Sequence, residues 1–372
     1  MGTYYVIYGL LLVSALFELS NSKTKKLVLI FWGFFFTFFS GLRWQIGSDW
    51  DSYLTVFNEA SFDNIFSFDR YGDGRDMMEP GYVFLNAIVK ALFGKYHFFN
   101  LLESAFLQYS YYKAIKYFTP QTPIIMYGFL IIFGGFIPIR ATLGLAIAFW
   151  GYKYIKEQEL LRFLLIIALT CTIHMKFIIF LPCYWIGKIR IKSYLYLSIY
   201  LLVVGSYVVF QQQLALLATL LDASSGIGAK LDVYTHGETE GFSGLSYIGV
   251  VFNLFLMCVY LYLRKIRLLR DELWMNGILN MYLVSCCIYA LFSDGMGDLA
   301  RLATLFVLPQ SLLLVMTIVY FSKKRMPVLH LGAISFFVLY FIYRTYQATS
   351  GYYFLEAHVP YKTIFDYNIS FF

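Results

Sequence analysis

The sequence predicts an all-α, polytopic integral membrane protein: about twelve transmembrane crossings plus one re-entrant helix, folded as a single transmembrane domain over residues 1–372. Three observations predict it. Apolar residues make up 60% of the chain and charged residues only 14%, against roughly 45–50% and about 25% in soluble domains. The apolar excess runs the whole length, in stretches separated by short polar segments. Lysines and arginines gather in short clusters between those stretches, where the positive-inside rule puts cytoplasmic loops.

Six clusters set the topology: Lys23/Lys25/Lys26, Lys113/Lys116, Lys153/Lys156/Arg162, Lys188/Arg190/Lys192, Arg264/Lys265/Arg267/Arg270 and Lys323/Lys324/Arg325. With all six cytoplasmic, residues 3–20 lead in and place the N-terminus outside. The stretch has no basic n-region and no small-residue cleavage site, so it reads as a helix and not a signal peptide. Residues 27–42 lead out, 43–79 form a first outer loop, and 97–117 lead in. This leaves 80–94 with no crossing to make, and it reads as a re-entrant or interfacial helix with Pro80 in its first turn. Residues 123–155 run between two cytoplasmic clusters, so parity demands a hairpin, folding at Pro138-Ile139-Arg140. The same argument folds 162–187 at His174. Such short spans are tolerated where they are buried in protein or line a cavity. Residues 194–212 lead out, 213–243 form a second outer loop, 244–263 lead in, 275–292 lead out, 301–320 in and 327–346 out. The tail 347–372 ends outside.

The net charge of +7 serves this topology and does not indicate nucleic acid. The cysteines Cys171, Cys183, Cys258, Cys286 and Cys287 lie inside apolar runs, without metal or disulfide spacing, and read as packing residues. There is no internal repeat of the kind that marks many transporters.

Function is sought in the charges left on the outer side. Arg43, Arg70, Arg75, Arg140, Lys230 and Arg301 are among the basic residues there, against the positive-inside bias. Arg140 and Arg301 each sit in a short turn at a hairpin mouth, and ionisable residues at membrane depth are functional candidates by default. Asp49 and Asp51 follow Arg43, Glu79 opens the re-entrant piece, and His174 stands at a bend. Arginine forks grip phosphate oxygens bidentately, and a carboxylate or imidazole can take a proton from a hydroxyl. Together they suit transfer of a group from a pyrophosphate leaving group to a hydroxyl acceptor, with arginine rather than a metal as charge stabiliser. Trp44, Trp50 and Tyr53 could stack on sugar rings or anchor the loop at the interface. Bland alternatives stand beside each residue. Arg43 is placed for snorkelling at a helix end. Arg301 has Asp298 at i−3. Asp49 and Asp51 suit a helix N-terminus. A lone buried histidine is more often a packing residue than a base.

Four motifs resemble the EpsG family of bacterial polysaccharide polymerases, relatives of Wzy. They are Gly41-Leu42-Arg43-Trp44 with Gly47-Ser48-Asp49-Trp50-Asp51-Ser52-Tyr53, then Glu79-Pro80-Gly81-Tyr82 with Leu85-Asn86, then Ile139-Arg140-Ala141-Thr142-Leu143-Gly144, and finally His174 with a helix-opening Arg301. The resemblance implies a metal-independent glycosyltransferase with a fold similar to the GT-C class and no cofactor. It would sit in the bacterial inner membrane with both termini outside. It would join undecaprenyl-pyrophosphate-linked oligosaccharide repeat units into O-antigen, capsule or exopolysaccharide, with a chain-length regulator as an expected partner. On that reading Glu79, Asp49 and His174 are the candidate bases. Arg140, Arg301 and Arg43 hold the pyrophosphate, and Trp44, Asp51, Tyr53 and Lys230 contact sugar. The nearest rival is an O-antigen ligase or another glycosyltransferase with a lipid-linked donor, told apart by its acceptor. A flippase or transporter is the non-enzyme rival.

Overall fold

The computed structural model describes residues 1–20, 24–70, 77–137, 139–220, 245–265, 273–292, 301–323 and 326–367. Among them the chain is all-helical. Its elements are α1 (Gly2–Ser20), α2 (Lys25–Gly41), α3 (Trp50–Glu59), α4 (Pro80–Phe93), α5 (Tyr96–Phe118), α6 (Pro123–Gly134), α7 (Arg140–Glu157) and α8 (Leu160–Ile173). A 3₁₀ segment Met175–Phe180 follows, then α9 (Cys183–Ile186), α10 (Ser193–Leu220), α11 (Leu245–Lys265) and α12 (Leu273–Phe292). A second 3₁₀ segment Arg301–Phe306 leads into α13 (Val307–Lys323), α14 (Pro327–Thr349) and α15 (Tyr352–His358), and Ile364–Tyr367 form a last 3₁₀ turn. Five helices are long and apolar enough to cross a membrane among the described residues: Gly2–Leu19, Ile248–Lys265, Trp274–Phe292, Leu302–Phe321 and Pro327–Thr349.

The chain divides into two units. One holds Met1–Leu181 with Leu314–Phe372, the other Pro182–Leu313. In the first, α2 lies close along α5. A Cβ at Gly41 would stand 2.8 Å from Leu101 Cα, and Ser40 and Ser104 hydroxyls meet at 2.6 Å. Small residues let backbones approach this closely where apolar burial gives no drive between helices in lipid. The helix boundaries in the 123–155 stretch follow from its punctuation. Pro123 opens α6, and the buried Glu18 carboxylate caps it by accepting the N–H groups of Ile124 and Ile125 at 3.0 and 2.9 Å. Gly135, at φ 81°, ends α6 where an L side chain would be strained. The Ile139 N–H then donates to the Thr142 hydroxyl at 2.9 Å, and α7 starts at Arg140.

The 80–94 segment folds as α4, opened by Pro80 and closed by Gly94 in the left-handed region. Its 14 residues make about 21 Å of helix, short of the ~30 Å hydrocarbon core. A Cβ at Gly81 would collide with Thr172, so the first turn of α4 sits against the last turn of α8. That contact sets Glu79 beside His174.

Two loop expectations change. Helix α10 continues to Leu220, past the position 213 at which the second outer loop is expected to begin. The apolar run Leu214–Leu220 extends the helix, and residues 221–244, with the loop's Gly- and Ser-rich part and Lys230, lie outside the described residues. The tail, expected only to lie outside, folds back on the first loop. Trp44 N–H donates to Lys362 O at 3.0 Å, Gly47 N–H to Ala357 O at 2.9 Å, and Ile364 N–H to Leu42 O at 3.1 Å. The Tyr361 ring stacks on Phe39 at 4.2 Å.

Candidate functional site

Glu79, Arg140 and His174 come from three separate segments and meet at one point. Glu79 is the residue before α4, but its carboxylate does not cap that helix. One oxygen accepts from Arg140 Nη1 at 2.6 Å. The other stands 3.0 Å from His174 Nδ1 and accepts the Met175 N–H at 2.8 Å. Arg140 Nη1 also lies 2.9 Å from Met78 Sδ. The side chains of Glu79 and Arg140 are only 13% and 12% exposed. Desolvating two opposite charges is costly unless further hydrogen bonds satisfy them, and here the imidazole and the amide do so.

The electrostatics follow from those contacts. Burial alone would raise the Glu79 carboxyl. The His174 hydrogen bond, the Arg140 charge and the Met175 N–H together outweigh it and bring the group down to about 2. Burial pushes the His174 imidazole below its ordinary value. The Glu79 hydrogen bond opposes this, and the charges of Arg140 and Lys176 add to it. At neutral pH the pair is therefore a carboxylate and a neutral imidazole. The carboxylate fixes the tautomer: Nδ1–H donates to Glu79 and the lone pair is at Nε2. Nε2 has no hydrogen-bond partner among the described residues.

The first loop connects to this cluster through aromatic rings. Tyr82, on α4, meets Tyr53 of α3 at 5.9 Å, edge to face. The Arg70 guanidinium lies 5.4 Å over the Tyr53 ring, hydrogen-bonds Ser52 and stands 3.9 Å from Asp49. Asp49 occupies the N-cap position of α3 without a side-chain cap bond, half exposed; Asp51 lies in the first turn, exposed. Tyr53 is 6% exposed and packed among apolar residues, and Trp44 packs edge-on against Trp50 at 5.2 Å. Tyr53 is thus closed off by protein, whereas Trp44 keeps part of its ring exposed.

Arg43 is placed differently from Arg140. It is 2% exposed. Its Nη1 donates to Ser40 O at 3.0 Å, its Nε to Ile46 O at 3.3 Å, and its guanidinium sits 5.3 Å over Trp50. It interacts electrostatically with Glu103, a buried carboxyl of α5. Arg301 opens the second 3₁₀ segment in the other unit. Sequence reasoning missed two residues. Glu103 carried a signal, an acid in the middle of an otherwise apolar helix. Arg70 appeared only as one of several outer cations, and its contact with Tyr53 needed the fold. Among the described residues no group of His, Cys, Asp and Glu is arranged to hold a metal ion.

No curated protein and no solved structure shows significant similarity to the chain. A family of Wzy-type, exopolysaccharide-polymerase-like membrane proteins does match over nearly the whole length, through residues 26–363, and the chain belongs to it: the EpsG family.

Proposed function

We propose that the protein polymerises undecaprenyl-pyrophosphate-linked oligosaccharide repeat units into a surface polysaccharide, by glycosyl transfer at the periplasmic face of the inner membrane. The observation that carries the reading is the Glu79–Arg140–His174 cluster, in which a neutral imidazole and a guanidinium share one carboxylate. Family membership supports reading the substrate as a lipid-linked oligosaccharide.

In the proposed step, His174 Nε2 takes the proton of the acceptor sugar hydroxyl. The hydroxyl oxygen attacks the anomeric carbon of the donor chain, the bond from that carbon to the lipid pyrophosphate breaks, and its electron pair leaves with the pyrophosphate. The geometry of opposite-face attack gives inversion. Arg140 meets the charge growing on the leaving group. Its guanidinium stays charged while paired with Glu79. Glu79 holds the Nδ1 proton of His174 and orients Arg140. Its depressed pKa makes it a weak base itself, so the proton falls to His174. The resemblance of the sequence motifs extends the proposal to Arg301 as a phosphate-binding residue and to Lys230 and Asp51 as sugar contacts. Arg43, closed off by its carbonyl partners, acts by fixing the first loop, and Asp49 acts with Arg70 in the same way.

Deleting the gene and running the surface polysaccharide on a gel, with complementation, tests this. The expected result is collapse of a long-chain ladder to a single repeat unit, restored by wild type and not by Arg140→Ala. Loss of even the single-unit band would indicate a ligase or an earlier glycosyltransferase. An unchanged ladder would remove the proposed function.

A further inference from the structure

The second unit contains a site that the proposed reaction does not use. Where α10 begins and α11 ends, the two helices flank an open groove of about 670 Å³. Three cations line it: Lys192 at the foot of α10, and Arg264 and Lys265 in the last turn of α11. No carboxylate stands among the described lining residues. The N-terminus of α10, a helix of 28 residues, adds its partial positive charge on the same side.

Arg264 is held in place rather than spread into solvent. Its guanidinium lies 5.4 Å over the ring of Tyr196. Tyr196 is fully buried and hydrogen-bonds Asn280, whose amide donates to Ile186 O and Ile189 O, both at 2.8 Å. Arg264 Nη1 is shielded from solvent and has no acceptor among the described residues. Holding the guanidinium on the Tyr196 ring keeps a fixed positive charge at the wall of the groove, where it attracts an anion.

The walls indicate which anion. Leu197 and Leu261 line the groove beside the cations. Further along α10, Leu201, one helical turn on from Leu197, and Leu202 are exposed. A phosphate ion would be served by the cations alone, whereas a phosphate joined to acyl chains uses both surfaces. Basic pockets between helices on the side marked by lysine and arginine clusters suit anionic lipid headgroups. We propose that this groove binds the phosphodiester headgroup of an anionic phospholipid, with its acyl chains along the exposed face of α10.

The inference is independent of the polymerase reading, and its test needs no substrate. Purified full-length protein in neutral detergent is titrated with phosphatidylglycerol, phosphatidylcholine and inorganic phosphate, reading the thermal midpoint and the lipid retained in native mass spectra. Phosphatidylglycerol is expected to raise the midpoint and to remain bound. Arg264→Gln is expected to weaken that binding about tenfold, and Lys192→Gln severalfold. Should Arg264→Gln fail to fold, Lys192→Gln and Lys265→Gln carry the test. Equal binding of phosphatidylcholine, or full retention of phosphatidylglycerol by the charge variants, would overturn the proposal. An equal response to inorganic phosphate alone would overturn the lipid assignment.

Discussion

Arg140 and Arg43 look alike in the sequence: both stand at the end of an apolar run, both on the side where arginine is disfavoured. The fold treats them oppositely. Arg140 meets a carboxylate that also holds a histidine, in a cluster where each group can change partner or charge. Arg43 is 2% exposed and donates to two backbone carbonyls under a tryptophan, in a loop tied down by the C-terminal tail. The Glu79–Arg140–His174 cluster keeps partial exposure and can meet a substrate, whereas Arg43 and its electrostatic partner Glu103 are both buried in the core, which points to a scaffold.

The comparison can be broken by mutation. Among changes that leave His174 in place, the largest effect is expected from Arg140→Ala. Loss of a charge-stabilising group costs roughly 10²–10³ in rate, measured as polymer formed from lipid-linked repeat units. Glu79→Gln comes next, about tenfold or more, with a signature in the pH profile. Wild-type activity should rise with pH as His174 loses its proton, with an inflection below the ordinary imidazole value of 6.5. The Glu79 hydrogen bond raises the His174 pKa, so removing the carboxylate should move that inflection to lower pH. If Glu79 were itself the base, the inflection would vanish instead of shifting.

Arg43→Ala should act mainly on stability. It leaves Ser40 O and Ile46 O without their guanidinium donor, at a cost of about 1–3 kcal/mol. A lowered thermal midpoint is expected, with a rate within about tenfold of wild type in the molecules that remain folded. A large rate loss at an unchanged midpoint would place Arg43 with Arg140. The smallest effect is expected from Tyr361→Ala. Losing the stack on Phe39 costs roughly 0.5–1.5 kcal/mol beyond buried area. It should show as a small midpoint shift and faster proteolysis of the tail.

The helices were legible because they follow apolar run length and Pro and Gly punctuation. Pro80, Pro123, Gly94 and Gly135 mark boundaries in the sequence and in the structure alike. The end of α10 was not legible, because its extension past 212 is apolar and only the polar residues beyond suggested a loop. In the site, Glu79, Arg140 and His174 could be named, since charges at bends between apolar runs are conspicuous. Their union could not, because it depends on Gly81 seating α4 against Thr172. The fold-back of the tail was hidden for a related reason. It uses backbone N–H and C=O groups of Trp44, Gly47 and Ile364, and side-chain type says nothing about those.

The most direct test is the rate of polymer formation by purified His174→Gln. A glutamine amide can still donate to Glu79, so the Glu79–Arg140 pair should keep its place and the thermal midpoint should stay near wild type. The account predicts a fall of roughly 10²–10⁴ in rate, the usual contribution of a positioned general base, with lipid-linked repeat units left unjoined. Polymer formed at the wild-type rate by the folded variant would contradict it and move the chemistry away from this cluster.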